Sequence, residues 1–240
     1  AANTSVTFAN QGFKVAALAS VGKDIRGQEI ARALQEQGVL TDFLYFDPHE
    51  LTAYSIIISA SKGERTIFRY RGAVWHLHEY SIPWDKLNTA WFYLNHIGDE
   101  SSFLLAEFTS FAKKNGIKIA MNPGRTQLEM KEKVIPLFNQ LDVLMVNQEE
   151  ASYFTGIPYE NTEEMFKKLD QWVKGIVIMT KGPKGVEVSD GKTRWMASVL
   201  PLKKIIDRTG AGDAFGSGFV SGLISKPTDI EYAIQLASAN

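Results

Sequence analysis

The chain has 240 residues, of which 45% are hydrophobic and 22% charged, with a formal net charge of −1. That balance suits a water-soluble α/β protein of one large or two small domains, and it argues against nucleic acid or an anionic membrane surface as a partner. The lack of cysteine excludes disulfides, thiolate nucleophiles and cysteine-type zinc sites, and fits a reducing cytoplasm.

No apolar run approaches a membrane span, and no signal-type segment opens the chain. It starts at Ala1 without an initiator Met, which suggests a processed chain or a fragment. Residues 3–11 read as a short helix ending at Gly12, and residues 14–21 as a strand of small apolar residues. After the turn Gly22-Lys23-Asp24, residues 24–37 form an amphipathic helix with Ile25, Ile30, Ala33 and Leu34 on its buried side. Residues 43–46 follow as a short strand.

The stretch 51–78 has a different character. Residues 54–59 and 66–70 are β-rich and joined by Ser61-Lys62-Gly63-Glu64, a hairpin signal. A hairpin inserted into a helix–strand alternation is either a flap over a site or an ordinary sheet edge.

From Thr89 the rhythm becomes βαβα. Strands are expected at 90–94, 117–121, 141–146 and 175–179, and helices at 101–115, 134–139, 149–155 and 163–174. Residues 186–188 and 193–196 read as a second hairpin around Asp190-Gly191, and 229–240 as a last helix. Such alternation argues for a largely parallel sheet with helices on both faces, in one domain spanning 1–240 with a β flap within 51–78.

Ligands of open parallel sheets collect beyond the carboxyl ends of the strands. Three such ends stand out. Asn147-Gln148-Glu149-Glu150 places an amide and a carboxylate three apart at a helix start. They could share a hydrated divalent metal and a phosphate oxygen, or simply form a capping pair. Thr180-Lys181-Gly182-Pro183-Lys184-Gly185 could line a nucleotide with its backbone, or merely approach a hairpin.

The third end is Ile205-Ile206-Asp207-Arg208-Thr209-Gly210-Ala211-Gly212-Asp213, leading into a helix with Phe215, Phe219, Leu223 and Ile224 at helical spacing. Glycines let backbone N–H groups converge there, and the helix start favours an anion. Asp213 beside such a hole either acts as a general base or complements the helix dipole. Together the three ends outline phosphoryl transfer. Competing motifs fail on spacing. A phosphate-binding P-loop would need Gly at Ala17 and Ser or Thr at Asp24; GxGxxG is broken at Phe215 in one frame and Ser221 in the other. His76 and His78 lack a visible third metal ligand, and the five tryptophans read as packing.

The segment from Asp207 to Phe215 closely resembles the signature of the ribokinase/PfkB family of carbohydrate kinases. Asn147-x-x-Glu150, Thr180-Lys181-Gly182-x-x-Gly185 and Ala1-Ala2-Asn3-Thr4 resemble that family's other segments, in the right order. The resemblance implies a ribokinase-like three-layer sandwich and ATP- and Mg²⁺-dependent phosphorylation of a sugar or nucleoside hydroxyl. It implies Asp213 as base, with Gly210, Ala211 and Gly212 holding the transferred charge, and Asn147 and Glu150 as the metal–phosphate motif. Thr180, Gly182 and Gly185 would line ATP, Ser238 and Asn240 would lie near adenine, and Asn3 would touch the sugar. Arg71-Gly72-Ala73 resembles the family's lid, which raises the flap reading and implies a possible homodimer through the lid. A monovalent cation such as K⁺ is implied near Asp207. Arg208 replaces the commoner Thr. The family's opening strands and C-terminal end have no counterpart here, which implies a fragment.

Overall fold

In the computed structural model, residues 2–59, 65–97, 103–200 and 210–240 are described. The chain opens with helix α1 (Ala2–Asn10), strand β1 (Ala19–Gly22), helix α2 (Ile25–Glu36) and strand β2 (Leu44–Asp47). β1 and β2 pair in parallel. Strands β3 (Tyr54–Ser59) and β4 (Arg65–Tyr70) then form a separate antiparallel ribbon. Strand β5 (Trp91–Leu94), helix α3 (Leu104–Asn115), strand β6 (Lys118–Met121) and the short helices α4 (Arg125–Glu129) and α5 (Lys131–Val134) follow. Next come β7 (Val143–Asn147), α6 (Gln148–Thr155), α7 (Thr162–Trp172), β8 (Ile176–Thr180), β9 (Val186–Ser189) and β10 (Arg194–Ala197). Helices α8 (Ala211–Ser225) and α9 (Ile230–Ala239) complete the described residues.

The six-stranded sheet has the order β10-β9-β8-β7-β6-β5. β5 to β8 pair in parallel, and the β8–β9 and β9–β10 pairings are antiparallel. The sequence of β7 explains its central place. Val143 to Val146 are all buried, the mark of a strand covered on both faces. Leu144 and Val146 pack among Phe108, Phe138 and Phe166 on the α3–α7 side. Val143 and Met145 pack with Phe219, Val220 and Ala233 on the other side, beneath α8 and α9. Helices therefore cover both faces of the sheet, and the architecture is the expected α/β three-layer sandwich. Gly116 and Gly156 end α3 and α6 in the left-handed conformation, as their positions in the sequence led us to expect.

The structure corrects several boundaries. The strand expected over 14–21 is confined to β1, with only an isolated bridge from Ala16 to Leu40 before it. On α2 the buried stripe is Gly27, Ile30, Ala31 and Leu34. Ile25, 74% exposed, and Ala33 point the other way, because at 100° per residue they lie on the opposite side. The helix expected at 134–139 is a 3₁₀ segment, Ile135–Gln140, and α4 and α5 before it were not expected at all. Among the described residues, no helix is long and apolar enough to cross a membrane.

Candidate active site

Parallel register brings the polar strand ends together. Asn147 at the end of β7 pairs across the sheet with Thr180 at the end of β8. Asn122 follows β6 and donates its backbone N–H to Leu94 at 2.9 Å. These ends open on a cleft of about 260 Å³ lined by Asn122, Asn147, Glu150, Thr180, Gly210, Gly212 and Asp213, with Met145 and Val146 as its floor.

The far wall of the cleft is the start of α8. Gly210 caps it with φ +84, a left-handed conformation that strains any residue with a Cβ. A Cβ there would also stand 3.1 Å from Asn3 Nδ2, whereas one on Gly212 would meet nothing within 4 Å. Ala214 N donates to Gly210 O at 2.8 Å, and the N–H groups of the turn before it belong to the open end that every helix N-terminus leaves. Asp213 stands in this first turn, where Asn3 Nδ2 donates to its Oδ2 at 3.1 Å. Asn3 and Asp213, 210 residues apart in the chain, thus share one edge of the cleft.

At the end of β7 the capping pair is fully formed. Asn147 Oδ1 accepts from Glu150 N, and Glu150 Oε2 accepts from Asn147 N, both at 2.8 Å. The cap does not exclude a second role, because both residues also line the cleft. Burial raises the Glu150 carboxyl above its ordinary value, against the lowering effect of the Asn147 hydrogen bonds. A carboxylate disfavoured by desolvation is a place where a cation is welcome. Among the described residues no three acidic, His or Cys side chains cluster as a metal cage.

Other expected residues sit elsewhere. Gly182 and Gly185 belong to the 3₁₀ turn Gly182–Lys184 and its end, next to Thr180 but outside the cleft lining. Gly185 is required by packing, since a Cβ would stand 2.0 Å from Ala197 O. Lys181 Nζ turns to Glu187 Oε1 at 2.5 Å rather than to the cleft. Ser238 lies near the end of α9, and Asn240 just beyond it donates to Ala214 O at 2.9 Å. Asp207, with Arg208 and Thr209, lies outside the described residues. Arg71 lines a second cavity, beneath the β3–β4 ribbon, and Gly72 opens the adjacent turn.

Sequence reasoning missed Asn122, which lines the cleft, and Tyr93, buried close to Asp213. Asn122 had a signal available, a polar residue at the end of an apolar strand, in the same place as Asn147 and Thr180. Tyr93 had none. Its hydroxyl is buried without a hydrogen bond of normal geometry, with the Asn122 side chain and the Asp213 carboxylate as its polar neighbours. Burial, reinforced by Asp213, pushes this phenol well above its usual range. The hydroxyl lies against α8 where residue 216 is glycine; a Cβ there would approach it to 2.2 Å.

Comparison with known proteins shows the family and the fold. The family model of the pfkB family carbohydrate kinases matches residues 1–240. A ribokinase from Haemophilus influenzae is 30% identical over 252 residues, covering 99% of this chain and 77% of the relative. A probable chloroplastic fructokinase from Arabidopsis thaliana is 26% identical, covering 92% of this chain and 61% of the relative. In fold, the chain is similar to the Arabidopsis thaliana ribokinase complexed with ribose and ATP. The TM-score is 0.85 at 23% identity, covering 99% of this chain and 78% of that one.

Proposed function

The chain belongs to the pfkB family of carbohydrate kinases and is a phosphotransferase with an alcohol acceptor; from that premise we propose that it moves the γ-phosphoryl group of ATP to a hydroxyl of a sugar. One observation carries the reading. Asp213 and the open N-terminus of α8 face the same cleft as Asn147, Glu150 and Thr180.

Asp213 is the general base. Asn3 holds one of its oxygens, which leaves the other to take the proton of the attacking hydroxyl. The N–H groups around Gly210, Ala211 and Gly212 receive the negative charge of the phosphoryl group in flight, and the helix dipole adds to them. Thr180, Gly182 and Gly185 line the triphosphate side of ATP, and Ser238 and Asn240 mark its adenine end. Asn147 and Glu150 would hold Mg²⁺, largely through water and the phosphates of ATP, as suits an ion that keeps its waters. When bound, the ion neutralises phosphate charge. Asp207 would hold a monovalent cation such as K⁺. Arg71 and Gly72 belong to the acceptor side, where the β3–β4 ribbon acts as the lid of a single domain spanning 1–240. The reading places the enzyme's work in the cytoplasm, where ATP is at hand.

The ribbon also supports pairing of two copies. Ile56, Ile58 and Phe68 share one face of the ribbon and are each at least 50% exposed, a patch that a second lid would cover.

A nucleoside acceptor is the second reading, favoured by Trp75 in the wall of the cavity under the ribbon. ADP release from the full natural chain, with a panel of sugars and nucleosides, separates the two. Asp213→Asn is expected to lower kcat on the order of 10²- to 10⁴-fold while ATP still binds. Near-normal turnover of that variant would sink the assignment, and no ADP release above background with any acceptor would leave a non-catalytic binder.

A further inference from the structure

The acceptor side carries its own chemical signature. The cavity under the ribbon, about 300 Å³, is lined by Ser55, Arg69, Arg71, Trp75 and His96 among others. Among the described residues, no Asp, Glu, Asn or Gln lines it. A neutral polyol is a strong hydrogen-bond donor and is best held by carboxylates and amides that accept. Arginine offers donors only. We propose that the acceptor phosphorylated here bears an anionic group, a carboxylate or a phosphate, and that Arg69 and Arg71 hold it. The proposal rests on the kinase reading above.

Strand pairing sets the orientation of Arg69. Ser55 and Arg69 are direct partners across the ribbon and share one face, while Tyr54 and Tyr70 are partners on the other. At the base of the ribbon, the Tyr54 and Tyr70 side meets Arg26 and Glu50. Arg26 stacks 4.5 Å over Tyr54, and the Tyr70 hydroxyl donates to Glu50 at 2.8 Å. The nearby carboxylate of Glu50 is thereby engaged on the face opposite Arg69. Arg71, one residue past β4, stacks its guanidinium 4.4 Å over the Trp75 ring. Stacking fixes the plane of the group and leaves its N–H fork free for two parallel hydrogen bonds to a carboxylate or phosphate. Among the described residues no carboxylate pairs with either arginine.

The cavity is also connected to the chemistry. Asn3 binds Asp213, and the next residue, Thr4, donates its hydroxyl to Asn95 at 3.0 Å. The residue after Asn95 is His96, in the cavity wall. These contacts tie the cavity wall to the residue that holds Asp213, and the proposal requires an acceptor long enough to present its hydroxyl to Asp213 while its charge meets the arginines.

The test uses the full natural chain and four acceptors: ribose and adenosine as neutral probes, 2-keto-3-deoxygluconate as the carboxylate and fructose 6-phosphate as the phosphate. One anionic acceptor is expected to exceed the better neutral one in kcat/KM on the order of 100-fold, and which one does so identifies the anion. Arg71→Gln should raise KM for it on the order of 10- to 100-fold with kcat little changed, and Arg71→Lys should fall between. Arg69→Gln should act in the same direction.

Calorimetric titration of Asp213→Asn with the two anionic probes reads binding without turnover. Binding there but no ADP release by the wild type would end the kinase reading and keep the anion pocket. ADP release best with a neutral acceptor, or a KM unmoved by Arg71→Gln, would overturn the anion pocket and leave the kinase standing. Failure of both anionic probes to bind would overturn it too.

Discussion

The two sides of the proposed site, phosphoryl and acceptor, are built in opposite ways. The phosphoryl side stands on the carboxyl edge of the central sheet and on α8, whose residues from Gly216 to Leu223 are all buried. The acceptor side is a two-stranded ribbon whose isoleucines and Phe68 are half exposed or more. Groups that must stabilise a transition state need fixed positions, and packing supplies them. A ribbon of two strands is marginal by itself and gains order from whatever covers it. On the proposed reading, chemistry stands on the stiff part and acceptor choice on the soft part, so substitutions should separate the two.

The largest effect is expected where α8 meets the sheet. At Gly216 a Cβ would press on the Tyr93 hydroxyl at 2.2 Å and on the Met145 sulfur at 2.8 Å. Gly216→Val should therefore cost about 3 kcal/mol of stability, measured by denaturant unfolding, because neither neighbour is a free surface side chain. It should lower kcat as well, since Asp213 lies one turn before it. An equally large loss of stability from a substitution on the exposed ribbon would break the comparison.

Next comes the joint between the two regions. Asp24 caps α2 through Gly27 N and also accepts from Thr52, by hydroxyl at 2.6 Å and by backbone N–H at 2.9 Å. Thr52 stands just before β3, and its hydroxyl also accepts from Gly22 N at 3.0 Å. The Thr52 hydroxyl first, then the backbone N–H groups of Thr52 and Gly27, hold the Asp24 carboxyl down to about 2. A depressed carboxyl contributes stability that is present above its unfolded value of 3.8 and lost as the pH falls towards 2. Thr52→Val, which leaves the buried Gly22 N–H unsatisfied, should cost about 2 kcal/mol at neutral pH. The gap to the wild type should narrow between pH 4 and pH 2, followed by circular dichroism in urea.

How far the residues announce this arrangement depends on the range of the forces involved. The capping pair at Asn147 and Glu150, the glycine ends of α3 and α6 and the buried run of β7 are local, and each could be read within ten residues. The turn from Gly210 to Asp213 was legible for the same reason, since a helix start carries its own anion chemistry. What could not be read is non-local. Tyr93 matters because α8, more than a hundred residues later, arrives with a glycine facing it. Residues 14–18 have the composition of a strand but find a bridge only at Ala16, because β2 begins at Leu44 and pairs only with β1. On α2, an apolar count misled where the angle around the helix decided.

Tyr93 gives a smaller effect of opposite sign. Its buried hydroxyl lacks a well-formed hydrogen bond, a cost that a phenylalanine would not carry. Tyr93→Phe should raise stability by about 1 kcal/mol in the same unfolding assay. A loss instead would mean that the hydroxyl is satisfied in solution, by water or by Asn122, and that the stiff side is held by a polar network as well as by packing.

The smallest change in stability belongs to the ribbon itself. Ile56 and Phe68 are direct cross-strand partners on the face shared with Tyr54 and Tyr70, and they are 54% and 58% exposed. Little apolar area is withdrawn from water at either position within one chain. Ile56→Ser and Phe68→Ser should therefore change unfolding stability at low protein concentration by no more than about 0.5 kcal/mol. Their effect should show in assembly: if a second copy covers this face, sedimentation at rising concentration will find the wild type heavier than the double variant. Equal masses at every concentration would leave the ribbon uncovered by a second copy. A large destabilisation with unchanged mass would place its cover inside the chain and make the soft side stiffer than its exposure implies.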